Sequence, residues 1–404
     1  MTQRAEDISI KDYVYDLPPE KIAAVPNAER SDSKLLFYNA GTISDYRFTS
    51  LPTLLPKNAV LLFNDTKVIT ARLFFRNEKG QQIEVFCLSP TVHVDPQEAL
   101  GSKGSVEWLC MVGGLKKWKE PLLRIQKGEV TLAVKRLGER DGAYVLGFEW
   151  MPNDMRFYDI LNHFGALPIP PYLNRESDAQ DSKRYQTVYA DKEGSVAAPT
   201  AGLHFTESVL DDLKSQGIGM IRLTLHVGAG TFKPVKAERM EGHHMHAEWM
   251  HVGLSELDKI KEGLTHGLIC VGTTSLRALE SIYWMGLKCY YEKDIVLRDL
   301  EIKQWDVYKI KGALITPEES VEALRIWLLN RGMQALACET QILIAPPYQL
   351  KMARGLITNF HQPQSTLLLL VAAVIGEDWR KVYTHALEHD FKFLSYGDSS
   401  LLLK

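Results

Sequence analysis

Between about residues 76 and 156 the chain offers short alternating apolar stretches and no convincing helix, and this segment restricts the fold more than any other. Ile83-Glu84-Val85-Phe86-Cys87-Leu88, Val106-Glu107-Trp108-Leu109-Cys110-Met111-Val112 and Val130-Thr131-Leu132-Ala133-Val134 each turn alternate side chains to one face, with glycine-bearing turns between them. A period of two over short runs marks strands with one buried face. Strands at this spacing make a small antiparallel barrel or sandwich. Helix-like and strand-like segments follow on the other side, so this unit is expected as an insertion.

The flanking segments have a different rhythm. Ala59-Val60-Leu61-Leu62-Phe63 reads as a buried strand, Asn64-Asp65-Thr66 as a turn, and 68–75 as a second strand. Residues 155–164 look helical, and Leu167-Pro168-Ile169-Pro170-Pro171-Tyr172 must be extended because its prolines lock φ and lack a donor. A helix over 207–216 ending at Gly217, a strand over 221–227, a strand over 268–271 and a helix over 275–283 continue the alternation. The expectation is a mixed α/β (α+β) protein: a barrel-like α/β core of residues 1–75 and 157–404, with its functional loops at one end of the strands, and an inserted all-β barrel over 76–156. Residues 286–338 hold further elements. Among them, 299–310 is expected as a strand, and the capping box Thr316-Pro317-Glu318-Glu319 opens a helix that stops before Gly332.

At 404 residues the chain exceeds one comfortable core, and 45% hydrophobic with 24% charged residues describes a globular protein without repetitive tracts. The five cysteines include no C-x-x-C pair, which argues against a disulfide framework or a cysteine zinc site. A polar start, and a greasiest run (367–375) too short to span a bilayer, lead to the expectation of a cytoplasmic protein with no membrane association, monomeric by default. Net charge is -3, so a polyanionic partner would need a local basic surface. Lys116, Lys117 and Lys119 offer one, although a lysine cluster is commonly just a solvated face.

Chemistry concentrates in two segments, Ala197-Ala198-Pro199-Thr200-Ala201-Gly202-Leu203-His204-Phe205 and Leu223-Thr224-Leu225-His226-Val227-Gly228-Ala229-Gly230-Thr231-Phe232. Each sets one imidazole among small residues and threonines, where backbone can approach a ligand and the ring can bond it or move a proton. Thr200, Gly202, Phe205, Gly228, Gly230 and Thr231 are therefore candidate binding positions, and His204 and His226 candidate acid or base. Ligand positioning and a purely structural hydrogen bond are the competing readings for both rings. Asp65 and Asp398 are further base candidates, each in a turn composition where a carboxylate also bonds local amides. Lys233 replaces the third glycine of a dinucleotide fingerprint, so that reading fails. Thr273 and Thr274 sit at a helix start suited to a carboxylate or phosphate, with Arg277 one turn on, while capping alone would also explain the hydroxyls. Asn359-Phe360-His361 precede Pro363 in a loop where Phe360 could stack on a base or be core. His243, His244, His246 and His251 lack metal-ligand spacing.

Blocks along the whole chain resemble one family. They include Tyr15-Asp16-Leu17-Pro18-Pro19-Glu20, Leu62-Phe63-Asn64-Asp65-Thr66-Lys67, Tyr185-Gln186-Thr187-Val188-Tyr189, Met245-His246-Ala247-Glu248-Trp249, Gly272-Thr273-Thr274-Ser275-Leu276-Arg277, Thr358-Asn359-Phe360-His361-Gln362-Pro363 and Phe393-Leu394-Ser395-Tyr396-Gly397-Asp398, besides the two segments above. In this order the chain resembles the S-adenosylmethionine:tRNA ribosyltransferase-isomerases of queuosine biosynthesis. It departs from them at Ser399-Ser400 and in carrying more residues than expected over 286–338, which the resemblance therefore implies to be a peripheral elaboration. The resemblance implies transfer and isomerisation of the ribosyl moiety of S-adenosylmethionine onto the 7-aminomethyl-7-deazaguanine base at the tRNA wobble position, with release of adenine and methionine. The sulfonium is the activating group, so no metal or other cofactor is expected. The partners are tRNA and S-adenosylmethionine. Tyr396 joins the binding candidates through its block. A methyltransferase or a silent tRNA-binding homologue is the alternative.

Overall fold

The computed structural model describes residues 4–91, 95–140, 142–228, 235, 237–310 and 312–404. Its strands in chain order are β1 (Lys34–Asn39), β2 (Thr42–Arg47), β3 (Val60–Asn64), β4 (Thr66–Val68), β5 (Arg72–Arg76), β6 (Gln82–Pro90), β7 (Ser105–Gly113), β8 (Leu123–Lys127), β9 (Val130–Arg140) and β10 (Ala143–Met151), then β11 (Lys192–Ser195), β12 (Gly219–Leu225), β13 (Glu248–Gly253), β14 (Leu268–Val271), β15 (Ala335–Thr340), β16 (Ala353–Asn359) and β17 (Ser399–Leu403). Nine of them form one mixed sheet in the order β15-β13-β12-β3-β14-β16-β17-β1-β2. At its centre β3 runs parallel to both β12 and β14, and β14 parallel to β16. Every residue of β3 and β14 is buried, as expected of strands covered on both faces, and this is why they read as unbroken apolar runs.

A second, antiparallel sheet runs β5-β6-β7-β10-β9-β8, and its two outer strands come together so that the barrel is nearly closed. Alternation places Ile83, Val85, Cys87, Trp108, Cys110 and Leu132 inside. Phe157, Ile160 and Leu161 of the helix Phe157–Phe164 complete the same cluster. The mixed α/β reading with an antiparallel barrel is therefore correct. The edges of the barrel differ from the sequence reading: β5 precedes residue 76, and the helix that seals its core follows residue 156.

The single strand expected over 68–75 breaks in two. Thr66–Val68 pairs with β11, whereas Arg72–Arg76 pairs with β6. Between them the Ile69 N–H bonds Ser195 at 2.9 Å and the Ala71 carbonyl accepts from Cys87 at 2.9 Å, so the chain changes sheets within three residues.

The strand expected over 299–310 is also absent; the segment forms the short helices Leu297–Leu300 and Asp306–Lys309. The Asp306 carboxylate accepts from the Lys303 N–H at 3.1 Å and Lys288 Nζ at 3.2 Å, a local capping arrangement that competes with strand pairing. The capping box is present, with Glu319 N to Thr316 Oγ1 at 3.2 Å and Thr316 N to Glu319 Oε2 at 2.8 Å, at the start of the helix Pro317–Asn330. Val321, Leu324, Trp327 and Leu328 of that helix lie in the largest hydrophobic cluster, and β15 is a strand of the main sheet. The segment 286–338 is thus built into the core and is not peripheral.

No helix among the described residues is long and apolar enough to cross a membrane. All five cysteines are free and buried.

The helices Thr273–Tyr291 and Pro317–Asn330 pack closely at Gly286, where an added Cβ would stand 2.1 Å from the Ser320 carbonyl oxygen. Gly286→Ala is expected to destabilise the protein by about 1–3 kcal/mol through overpacking, read as a lower urea midpoint with an unchanged m-value.

Candidate functional site

A cleft opens at the carboxyl ends of β14 and β16, holding about 740 Å³ of free space, mouth included. Its walls are residues 197–201, 272–274, 358–362 and 394–395, joined by Tyr172, Val227, Ser365 and Leu367. Loops at the carboxyl ends of parallel strands are where α/β sheets place ligands.

Each wall is fixed by identifiable bonds. Gly272, at φ +91, turns the chain from β14 into the helix Thr273–Tyr291. The first turn of that helix, carrying Thr273 and Thr274, lines the cleft. Further along it, the buried Glu280 accepts from Tyr348 Oη at 2.6 Å and from the N–H groups of Lys351, Met352 and Ala353 at 2.8, 3.0 and 3.1 Å. These bonds tie the helix to the start of β16. At the other end of β16, Asn359 Nδ2 donates to the Leu394 carbonyl at 2.9 Å, joining two walls. The loop after it is held by Tyr15 Oη donating to the His361 carbonyl and by the His361 N–H donating to Tyr383 Oη at 3.0 Å.

Six of the expected residues line this cleft: Thr200, Thr273, Thr274, Asn359, Phe360 and His361. His361 Nε2 lies 2.9 Å from Thr358 Oγ1, and burial pushes its pKa down to about 3. Phe360 is a wall and also core, packed on Phe393 at 4.9 Å and Tyr383 at 5.5 Å.

The four expected catalysts do not line it. His204 stands behind the wall, with Nδ1 2.9 Å from Ser33 Oγ and Nε2 3.4 Å from Asn359 Oδ1. Because Asn359 Nδ2 is engaged with carbonyls, its Oδ1 accepts from Nε2–H, and the ring accepts from Ser33 in turn. Burial lowers the pKa of His204 to about 4, so the neutral ring orients Asn359 from behind. His226 stacks on Trp249 at 5.1 Å, bonds Thr66 Oγ1 through Nδ1 at 2.7 Å, and leaves Nε2 buried without a partner among the described residues. Gly194 gives it room, since a Cβ there would approach the ring to 2.8 Å. Burial and the neighbouring His251 bring its pKa to about 3. Asp65 accepts from Thr224 Oγ1 at 2.7 Å, and Asp398 accepts from the Lys34 and Lys392 amides at 2.6 and 2.7 Å. Burial raises the pKa of both carboxyl groups, with those bonds opposing it.

Other expectations are corrected by packing. Phe205 is fully buried and meets Phe48 and Phe63 edge-on at 4.9 and 5.1 Å, so it is core. Gly202 is small because a Cβ there would lie 2.1 Å from Tyr189 Oη. Arg277 donates to the Ile342 carbonyl at 3.1 Å and pairs with buried Glu248, and Tyr396 donates to Asp181 at 2.7 Å. Neither faces the cleft. Gly228 adjoins the lining Val227 without lining it, and Gly230 and Thr231 lie outside the described residues. Lys116, Lys117 and Lys119 lie on the β7–β8 connection of the barrel, anchored by buried Trp118.

Sequence reasoning missed Tyr172, Thr358, Ser365 and Ser395 as lining residues. Tyr172 Oη bonds Ser395 Oγ, and burial pushes its pKa up to about 12. Thr358 and Ser395 stand inside recognisable blocks; Tyr172 is marked only by the prolines before it.

Residues 10–402 match the family described as queuosine biosynthesis protein. The chain belongs to that family. The S-adenosylmethionine:tRNA ribosyltransferase-isomerase of Azoarcus sp. (strain BH72) is 36% identical over 401 residues, covering 98% of both chains. The protein of the same name from Paraburkholderia xenovorans (strain LB400) is 37% identical over 408 residues, covering 98% of this chain and 99% of its own. Near-complete coverage in both directions leaves no room for 286–338 as an addition peculiar to this family member. A solved structure of S-adenosylmethionine tRNA ribosyltransferase from Thermotoga maritima matches with 23% identity and a TM-score of 0.46, covering 97% of this chain and 100% of that one.

Acid should weaken this family member through its buried rings. His204, His226 and His361 have folded pKa values of about 4, about 3 and about 3, below the ordinary 6.5. The unfolded chain therefore binds more protons in that window, so their contribution is complete above about 6.5 and is lost as pH falls through the folded values. Thermal melts should show Tm falling steadily from neutral pH to about pH 4, and His204→Asn should flatten that acid limb. A Tm that stays level over the range contradicts the assignment.

Proposed function

We propose that this chain transfers the ribosyl portion of S-adenosylmethionine to the aminomethyl group of a 7-deazaguanine base at the tRNA wobble position and isomerises it to the epoxycyclopentane, releasing adenine and methionine. The observation that carries this reading is the coincidence of the cleft with the family blocks: residues 197–201, 272–274, 358–362 and 394–395, far apart in sequence, share its walls. The names of relatives such as those from Azoarcus and Paraburkholderia, similar along nearly the whole chain, support the same activity.

The chemistry asks for a hold on the methionine carboxylate, a dry slot for a base, and an acceptor for a ribose proton made acidic by the sulfonium. The amides at the start of the helix Thr273–Tyr291 suit the carboxylate, since unpaired N–H groups and the positive end of the helix dipole meet there. Ala197, Ala198, Phe360 and Leu367 supply apolar wall for a flat ring. No carboxylate stands among the described lining residues. A sulfonium in this cleft would keep its charge unpaired, which favours loss of the neighbouring proton. His361, kept neutral by burial and with Nε2 2.9 Å from Thr358 Oγ1, is the imidazole on this wall and suits positioning of the ligand. This route consumes S-adenosylmethionine as substrate and uses no metal or redox cofactor.

Incubation with S-adenosylmethionine and tRNA bearing the aminomethyl deazaguanine should yield adenine and methionine in equal amounts. Formation of S-adenosylhomocysteine would make the chain a methyltransferase, and binding of tRNA without adenine release would make it a silent homologue. With the His361 pKa at about 3, kcat/KM should show no inflection attributable to an imidazole near 6.5. Thr273→Val should lower kcat/KM by about tenfold or more, equivalent to about 1.4 kcal/mol, while leaving Tm nearly unchanged. If the barrel touches phosphate, replacing Lys116, Lys117 and Lys119 together with Ala should flatten the log–log salt dependence of tRNA binding by about 0.9 for each phosphate no longer neutralised. An unchanged slope removes that surface from the footprint.

A further inference from the structure

Away from the cleft, three side chains of metal-ligand type converge at the edge of the main sheet. Asp45 belongs to β2, the outermost strand; His385 lies on the helix Trp379–Glu388, and His389 caps that helix. Their donor atoms all lie within 4.8 Å of one another. In a tetrahedral zinc site with bonds of about 2.0–2.2 Å, donor atoms stand roughly 3.3–3.5 Å apart. The donors are therefore close enough to share one ion once the rings reorient. His385 Nε2 and Asp45 Oδ1, 2.8 Å apart, share a hydrogen bond, and an ion would take the place of the proton between them and release it to solvent.

A second observation concerns orientation. His389 Nδ1 is 2.9 Å from the His385 carbonyl, which can only accept, so Nδ1 carries a proton and the lone pair of the neutral ring is on Nε2. Histidines that bind metals are set in this way, with the other ring nitrogen donating to a backbone carbonyl or carboxylate. The backbone of His389 is itself held, because Lys34 Nζ donates to its carbonyl at 2.8 Å. The two imidazoles stack with centroids 3.7 Å apart at 11°. A shared ion must lie in the plane of each ring, so the exposed His389 ring has to turn on binding and exchange its bond to the His385 carbonyl for one to water. Solvent exposure leaves it free to do so and leaves a fourth position for water.

We propose that Asp45, His385 and His389 form a site for one divalent transition-metal ion of the zinc type, which clips the edge strand β2 to the helix Trp379–Glu388. Two imidazoles and a carboxylate are a donor set for zinc, cobalt or nickel and a poor one for magnesium or calcium. The ion has a structural role: none of the three residues lines the cleft. The clip would also cover the open edge of the nine-stranded sheet, where β2 has no outer partner among the described residues.

The test uses the full chain, freed of any affinity tag and stripped with a chelator. Zn²⁺ titrated by calorimetry, and Co²⁺ followed by its visible absorption, should each bind with one equivalent, and Zn²⁺ should raise Tm. His389→Ala, which changes an exposed side chain, and Asp45→Asn, which keeps the shape, should each weaken binding by at least about tenfold, a loss seen even when the residue replaced only orients a metal ligand. Absence of a stoichiometric equivalent in the parent chain overturns the proposal. So does an equivalent that survives both substitutions, or one that disappears only when His243, His244 and His246 are replaced.

Discussion

The Glu280 carboxylate accepts hydrogen bonds from Tyr348 and from three successive amides at the start of β16, and in doing so it sets the spacing of the two elements that build the cleft. The helix that carries Glu280 begins at the cleft, and the strand it grips ends there. A buried carboxylate is tolerable only when its lone pairs are filled, and here the donors come from the segment it must position. The Asn359 bridge to Leu394 and the His204 ring behind it then have a fixed strand to act on.

Asn64 joins the cleft to a second group of polar residues at the same end of the central strands. Its Nδ2 donates to the Leu225 carbonyl at 2.8 Å and to Thr274 Oγ1 at 3.4 Å, while its Oδ1 accepts from the Leu225 N–H at 3.0 Å. On one side stands the helix start that lines the cleft. On the other stand Asp65 with Thr224 and His226 with Thr66, at the ends of β3 and β12. The two histidine-bearing segments therefore do meet at one end of the sheet's central strands, but among the described residues only the first supplies lining residues in number.

Much of the architecture is legible in the sequence because it is written in periodicity. The barrel strands alternate, the central strands are unbroken apolar runs, and the helix at Pro317 announces itself through Thr316 and Glu319. The stretch 299–310 misleads because its decisive interaction, Asp306 with the Lys303 amide and Lys288, is a cap and leaves no mark in the apolar pattern. The site is less legible than the fold. Composition identifies the right loops, and Thr200, Thr273, Thr274, Asn359, Phe360 and His361 are on the wall. It does not say which way a ring points. His204 is satisfied by Ser33, 171 positions away, and Asp398 by Lys34, 364 positions away. A group consumed by a distant partner looks, in sequence, the same as one left free for a ligand.

The position of β17 has a consequence for how the molecule is made. It lies between β16 and β1, antiparallel to the first and parallel to the second, so among the described residues the β1–β2 hairpin reaches the rest of the sheet only through residues 399–403. On a ribosome the hairpin emerges early and must wait, its inner edge bare, until that late strand is delivered. The barrel, whose strands mostly pair with near neighbours in sequence, can close long before. Vectorial synthesis would thus leave a half-finished sheet flanking a finished barrel, and the interval before residues 399–403 emerge is when a chaperone would find most to cover.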